Sequence, residues 1–547
     1  MRLRTPPRLA DFGLSVSAVP DKICPMKDHR FRPLTSVSAA RRFWIAALGF
    51  AALWTVVPTL VFPNFRLDIV EQFFVGREWT FGSGSHPALT ANLLDLVSRA
   101  AGIAVAPSLT AALFNLLALW SIHRLAREYM APGPALAAAL SMFGYWYLFQ
   151  MEGTRYNNSV TLDAFWIFAA YLAFKAIDTG KTRWWFAAGA GIGLGLYFKY
   201  TEAVLAAAIV LFLIADRDKR RLWRTAGPWI STAAAFLIFT PYIVWLVRSE
   251  FFASLAYAAG NAPRQAGWRG HVFAPLEFLS NQLPLVLPPL FCLLPILWNR
   301  NRAAESATPN PAPQDAWKLR YLNWLLFGPL LFNLAWSALG GVYLRCDLGC
   351  HIWMPLSVWA LVFFGRDRSP RAVRRSCGVS LAFDAVCLFA LAVLVPLAPL
   401  FEKNLPRYHF PGKEIAAQAE SVWHAEYAEP LPWVMAEPWT GGALYDAWPW
   451  LAGNVSVYGR DRARVYSGPS HASWGSLDDV RREGGLFLWT AGKRDDEFLG
   501  ALRRDFPGVR AVGVYTFKPK SRYAKQEVSV GIALIPPEPE AKETVSP

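Results

Sequence analysis

Charge is scarce in this sequence. Asp, Glu, Lys and Arg supply 17% of the 547 residues, while 54% are hydrophobic and 15% aromatic. An ordinary soluble protein carries roughly 25% charged residues, so the composition points to a chain that spends much of its length in lipid. The charge that is present is unbalanced, formally +15. It lies in short basic clusters between apolar segments rather than along one stripe, which suits loops held on the cytoplasmic side and excludes nucleic acid as the expected partner. Cysteine is scarce as well, and six residues make no disulfide framework. Cys292, Cys377 and Cys387 lie in apolar runs and read as small hydrophobes. Cys346 and Cys350 bracket Asp347 and precede His351; this resembles part of a metal cluster, although two ordinary residues at a helix entry or one disulfide explain it equally well. The first forty residues lack the apolar core of a signal peptide. They carry Pro6, Pro7, Pro20, Pro25 and Pro33 among scattered basic residues, which predicts a disordered cytoplasmic extension over 1–40, with Met26 an alternative start. No internal repeat, phosphate-cradling glycine loop or zinc motif stands out.

What is abundant is apolar sequence in long runs. A bilayer core of roughly 30 Å takes about twenty apolar residues per helix. Candidate spans are 43–62, 107–123, 134–150, 160–177, 184–198, 201–215, 226–247, 282–298, 321–339, 351–365 and 378–399, about eleven in all, with Pro241 and Pro355 inside two of them. Basic clusters occur at Arg41-Arg42, Arg124 and Arg127, Lys175 to Arg183, and Arg217 to Arg224. They recur at Arg300 and Arg302 with Lys318 and Arg320, and at Arg366 to Arg375. All fall on one side if the spans alternate and the N-terminus is cytoplasmic. The expectation is therefore a multi-pass membrane protein with everything after residue 400 on the outer side. Two outer loops, 63–106 and 249–281, are too long to be turns. In the first, Leu89, Leu93, Leu94 and Val97 recur at helical spacing, as in a helix lying at the membrane surface. Residues 401–535 are more polar and contain alternating runs such as Val455-Ser456-Val457-Tyr458 and Glu527 to Leu534, which predicts a small α/β domain. The Pro/Glu-rich residues 536–547 read as a disordered tail. The expected fold class is an all-α polytopic membrane domain over 41–400 followed by a C-terminal extracytoplasmic α/β domain.

The stretch Leu67-Asp68-Ile69-Val70-Glu71-Gln72, then Gly76-Arg77-Glu78-Trp79, then Ser85-His86-Pro87-Ala88-Leu89 follows directly on the first span. An acid in hydrocarbon costs about 2.5–3.5 kcal/mol; at a helix mouth the cost is smaller, and position alone leaves Asp68 and Glu71 either functional or simply solvated. The order of motifs is more telling. Asp-x-x-Glu, Gly-Arg-Glu-Trp and His-Pro-x-Leu are followed by Arg155-Tyr156-Asn157-Asn158 and Gly195-Leu196-Tyr197-Phe198-Lys199-Tyr200. Thr240-Pro241-Tyr242-Ile243-Val244-Trp245-Leu246 and Tyr257-Ala258 come next, then Pro432-Trp433-Val434 and Gly485 to Trp489. This series resembles the GT-C fold glycosyltransferases of the bacterial protein-mannosyltransferase and lipid A sugar transferase type, and within them the rhizobial lipopolysaccharide galacturonosyltransferases. The resemblance covers roughly residues 40–500. The chain departs from the pattern at Ser85, where relatives carry Lys, and at Tyr242, where they carry His.

The resemblance implies inverting transfer of a sugar from a polyprenyl-phosphate donor to an envelope acceptor, either lipid A or lipopolysaccharide or a protein, on the periplasmic side. Asp68 is then the base that takes the acceptor's proton, and Glu71, sharing its face of a helical turn, assists. His86, Arg155, Lys199 and Arg345 are the candidates for the donor phosphate, though Lys199 and Arg155 also fit plain interfacial anchoring. Asn157, Asn158, Tyr200, Arg264 and His271 are candidate substrate contacts, with helix capping an alternative for one of the asparagines. No cofactor is implied with certainty. A divalent cation held by Asp68, Glu71 and His86 is left open. The other readings are a lipid or solute transporter or flippase, and a non-catalytic relative acting in envelope assembly.

Overall fold

The structure, a computed structural model, describes residues 34–145, 156–249, 252–260, 262–265, 267–298, 315–437, 449–468, 473–492 and 495–538. Where water is absent a chain must satisfy its own backbone hydrogen bonds, and the apolar runs accordingly wind into helix. The membrane domain contains α1 (Leu34–Val61), α2 (Leu67–Arg77), α3 (Leu89–Ala101), α4 (Ala106–Arg127), α5 (Pro132–Ser141), α6 (Asn158–Thr179) and α7 (Thr182–Leu196). It continues with α8 (Glu202–Ala215), α9 (Ala226–Arg248), α10 (Ala253–Gly260), α11 (Trp268–Leu297), α12 (Ala316–Gly340), α13 (Leu356–Phe364) and α14 (Pro370–Leu397).

Seven helices among the described residues are long and apolar enough to cross a membrane: α1, α4, α6, α9, α11, α12 and α14 with its 3-10 extension to Leu400. The other four expected spans are helical but short: α5 has 10 residues, α7 15, α8 14 and α13 9. Part of the expected span 134–150 lies outside the described residues. The difference has a physical cause. Apolar runs this short are as readily helices buried in protein as helices spanning lipid, and in α5 every residue from Pro134 to Ser141 is buried. Pro355 does not interrupt a helix but sits at the N-cap of α13, and the second outer loop ends sooner than expected because α11 already starts at Trp268. The helix expected from Leu89 to Val97 is present as α3, and α2 precedes it in the same loop.

Helix α7 shows how such short helices are held. Gly189 and Gly193, one turn apart, face α9, and a Cβ at Gly189 would lie 2.0 Å from the carbonyl oxygen of Ser231. Small residues let backbones approach where lipid offers no hydrophobic drive to associate.

The C-terminal domain contains α15 (Gly412–His424), β1 (Trp433–Ala436), α16 (Trp450–Tyr458), β2 (Arg464–Val465) and α17 (Leu477–Glu483). It ends with β3 (Gly485–Thr490), α18 (Asp495–Asp505), β4 (Arg510–Phe517) and β5 (Val528–Ile535). The sheet order is β2-β1-β3-β5-β4. Strand β1 runs parallel to β2 and β3, while β5 is antiparallel to both β3 and β4. The run Val455 to Tyr458, which alternates in sequence, is helical: Val455, Ser456 and Val457 are all buried, so no solvent face exists for the alternation to mark.

Gly189→Ala is expected to destabilise the protein by about 1–3 kcal/mol, since the added methyl must displace backbone. Gly378→Ala, in α14 where open space would receive the methyl, is expected to be neutral or slightly stabilising. Thermal unfolding of the two variants in detergent checks the contrast.

Candidate active site

Helix α2 presents two chemically different faces. Asp68 lies in its first turn, where unsatisfied backbone N–H groups favour an anion. Its carboxylate accepts a hydrogen bond from Asn157 Nδ2 at 3.2 Å. Glu71, three residues on, accepts from the Ser85 hydroxyl at 2.8 Å. Burial pushes the Glu71 carboxyl up to about 8; the Ser85 hydrogen bond works against this and the Asp68 charge adds to it. Glu71 therefore holds its proton at neutral pH.

The opposite face of α2 docks on the C-terminal domain. Val70 and Phe74 pack beside Gly453, and Arg77 donates to the carbonyl of Ser456, to its hydroxyl at 3.0 Å and to the carbonyl of Val457 at 3.3 Å. Glu78 pairs with Arg464 at 3.0 Å. On the approach to α2, the Phe65 amide donates to the Tyr458 hydroxyl at 2.8 Å and Asn64 Nδ2 donates to Asn454 Oδ1 at 3.2 Å.

The start of α6 joins the acids to a cationic cavity. Asn157 caps the helix by accepting from the amides of Ser159 and Val160. Ser159, two residues on, accepts from Lys199 Nζ at 3.2 Å. Lys199 follows directly on α7 and lies 3.6 Å from Asp347 Oδ2, whose other oxygen is 3.2 Å from Arg345 Nε. Burial alone would lower the lysine's pKa, but Asp347, Cys350 and Asp163 hold it above its usual value, so it stays an ammonium. His86 differs: burial first, then the neighbouring Lys199 and Arg345, lower its imidazole to about 3 against the pull of Asp347. It is neutral, and its buried Nδ1 has no hydrogen-bond partner among the described residues. His86, Lys199, Tyr200, Tyr257, Arg345 and Asp347 line a cavity of about 250 Å³. The Ser83–His86 turn thus touches both sides of the site, Ser85 reaching Glu71 and His86 the cavity.

The structure brings Asp68, Glu71 and Asn157 together on one side and His86, Lys199, Tyr200 and Arg345 on the other. Asn158 is turned inward, donating to the Phe198 carbonyl at 2.8 Å and accepting from Gln72 at 3.2 Å, so its amide is used in holding α2 and α7 to α6. Arg264 and His271 do not line the cavity. Both are exposed; Arg264 bridges to Val342 through its backbone, and the His271 ring bonds the Ala338 carbonyl at 2.7 Å. Arg155 lies outside the described residues. The cysteine-rich stretch also resolves differently from its sequence spacing. Cys346 donates to the Asn281 carbonyl and Asp347 turns to Lys199, whereas Cys350 and His351 meet Asp163 of α6, at 3.6 Å and 3.8 Å. This is the one group of three possible metal ligands found among the described residues. Three residues of the site have no role in it assigned from the sequence: Ser159, Ser85, which the sequence marks only as a departure from the family pattern, and Asp347, which it marks only as a neighbour of Cys346 and Cys350. Ser and a lone Asp beside Arg carry no pattern until the fold aligns them. At Tyr242, the second departure from the family pattern, the phenol joins Tyr200 and Ser254 in a hydroxyl network, 3.1 Å from Ser254.

Over 91% of its length, and 98% of the other chain, this protein superposes on ArnT from Cupriavidus metallidurans, solved with undecaprenyl phosphate bound, with a TM-score of 0.52 at 13% identity. The fold is GT-C. The profile of the dolichyl-phosphate-mannose-protein mannosyltransferase family matches residues 85–245, the segment that supplies His86, Asn157, Ser159, Lys199 and Tyr200. The lipopolysaccharide core galacturonosyltransferase RgtA of Rhizobium johnstonii is 26% identical over 243 residues, 42% of this chain. The match spans about half of that relative, 48% of its length. A GT-C membrane domain with a small sheet domain behind it is thus the architecture expected from the motif series.

Removing the Arg77 side chain should loosen the acid-bearing helix without touching the acids. Arg77→Ala is expected to raise hydrogen exchange across residues 67–77 and to lower stability by about 1–3 kcal/mol, the cost of leaving buried carbonyls unpaired. Glu71 yields a second expectation. Its folded-state pKa exceeds the ordinary carboxyl value of 4.5, so the native state binds more protons than the unfolded chain between about 4.5 and 8. Stability from this group therefore falls as pH rises through that window and levels off above it. In Glu71→Gln that fall is expected to flatten, so thermal unfolding at pH 5 and pH 9 should show the variant gaining on the wild type at the higher pH.

Proposed function

We propose that this protein is a membrane glycosyltransferase that moves a sugar from a polyprenyl-phosphate donor to an envelope acceptor, with inversion at the anomeric carbon. The observation that carries the reading is the pairing of an acid-bearing helix with a buried cationic cavity across the N-terminus of α6. The acceptor's hydroxyl oxygen attacks the anomeric carbon, the bond from that carbon to the phosphate oxygen breaks, and the polyprenyl phosphate leaves as an anion. The hydroxyl's proton must go to a base. A carboxyl that already holds its proton cannot take it, which selects Asp68 over Glu71. Asn157 orients Asp68, and the carboxylate also suits the positive charge that grows on an oxocarbenium-like sugar carbon. Lys199 and Arg345 are the cations for the leaving phosphate, with Asp347 holding both in place. His86, being neutral, serves as a hydrogen-bonding group rather than a charge.

The donor class is supported by the match to the mannosyltransferase family, and the acceptor class, lipid A or lipopolysaccharide, by the likeness to RgtA. The basic clusters at the opposite end of the bundle support a cytoplasmic location for that end, and hence a site on the periplasmic side of a bacterial inner membrane. The test is transfer from a labelled undecaprenyl-phosphate sugar to lipopolysaccharide by the purified protein in proteoliposomes. Asp68→Asn is expected to lower the rate by roughly 10²–10⁴-fold with donor binding retained, while Lys199→Gln is expected to raise the KM for donor. Full transfer by Asp68→Asn overturns the assignment of the base.

A further inference from the structure

Most basic clusters lie away from the acids, at the ends of helices such as α4, which finishes with Arg124 and Arg127, and α14, which begins with Arg371, Arg374 and Arg375. One group does not. The β4–β5 connection carries Lys518, Lys520, Arg522 and Lys525 within eight residues and meets no acid before Glu527. It lies at the acid-bearing end of the molecule. The Lys520 amide donates to the His409 carbonyl at 2.9 Å and the Asn64 amide, just ahead of α2, to the neighbouring Tyr408 carbonyl at 3.1 Å. Lysine and arginine are enriched in loops on the cytoplasmic side because they orient the chain; cations at the other end need a different reason.

Their position supplies one. The last apolar span runs from Pro370 to Leu400, and the Ser521 hydroxyl donates to the Pro396 carbonyl at 3.5 Å. The connection therefore rests where that span leaves the membrane. Leu400 is 55% and Phe401 75% exposed, two largely uncovered apolar side chains at the end of that span. Between this exit and the connection lies a cavity of about 270 Å³ whose lining includes Glu402, Lys403, Asn404, Tyr523, Lys525 and Gln526. Lys520 is paired with Glu414, and Glu402 accepts from the Tyr408 hydroxyl at 3.3 Å. Lys403 and Lys525 form no ion pair with any described residue.

We propose that this cavity is a binding site for the phosphate of an anionic phospholipid headgroup in the leaflet next to the active site. Lys403 and Lys525 hold the phosphate, Asn404 and Gln526 offer amide donors, and Leu400 and Phe401 lie along the acyl chains. The site is separate from the cavity of His86 and Lys199, and it stands whether or not the chain transfers a sugar.

The test is native mass spectrometry of the full-length protein in detergent, titrated with phosphatidylglycerol. One tightly retained lipid is expected on the wild type. In the double variant Lys403→Gln with Lys525→Gln, its binding should weaken at least about tenfold, from the loss of two cations at a membrane surface. The charge-keeping pair Lys403→Arg with Lys525→Arg should bind as the wild type does. Equal binding by the glutamine and wild-type proteins, or loss of binding in the arginine variant, overturns the proposal. Displacement of the lipid by inorganic phosphate at equal concentration overturns the choice of a lipid over a free anion.

Discussion

Arg77 extends from α2 to the carbonyl oxygens of Ser456 and Val457, and the geometry of the candidate site follows from that grip. Helix α2 is only 11 residues long, too short to hold a fixed direction in water by itself. It is gripped from behind by α16 and from ahead by the start of α6, through Gln72 to Asn158 and Asn157 to Asp68. A carboxylate that must meet a reacting atom within a fraction of an ångström needs such support, because small misplacements lower rates steeply. The C-terminal domain is therefore part of the candidate site's framework, although none of its described residues lines the cavity of His86 and Lys199.

Burial has three different outcomes among the charged groups here. Glu71 is left with a hydroxyl donor and a like-charged neighbour, and takes up a proton. His86 has two cations nearby and loses one. Lys199 has carboxylates on hand and keeps its charge. The same loss of water thus produces a neutral acid and a neutral imidazole, where burial is the largest influence, and a full cation at Lys199, where the neighbouring acids outweigh it. Such separation of protonation states among neighbouring groups is a mark of sites built for proton and anion handling.

Much of this is legible in the amino-acid order. The acids of α2 stand out because a carboxylate at the mouth of a span is expensive, and Lys199 because it follows an apolar run within a recognisable motif. Helix α3 of the first outer loop is visible in the spacing of its leucines. The rest is hidden for reasons of packing. Helix α5 and a spanning helix are equally apolar, and only burial on all sides tells them apart. The alternation in Val455 to Tyr458 marks no strand, because α16 is enclosed on every face between α2 and the sheet. Asn158 has the look of a sugar contact, yet its amide ties three helices together. Asp347 gains meaning only when α12 and the turn after it bring it between Lys199 and Arg345, and the neighbouring cysteines suggest a cluster that the fold divides between two places.

The contact between Arg77 and Ser456 joins positions 379 residues apart. In a chain made from its N-terminus onward, α2 enters the membrane surface among the earliest pieces and waits for its support until nearly the last. At roughly 5–20 residues per second, that interval is on the order of tens of seconds. During biogenesis the half-built protein holds its acids on a helix supported from the α6 side alone, and the finished arrangement arises only once the C-terminal domain has reached the same side of the bilayer and folded there. Order of synthesis thus acts as a safety catch: a truncated or stalled product, however complete its membrane helices, lacks the piece that sets the acids in place.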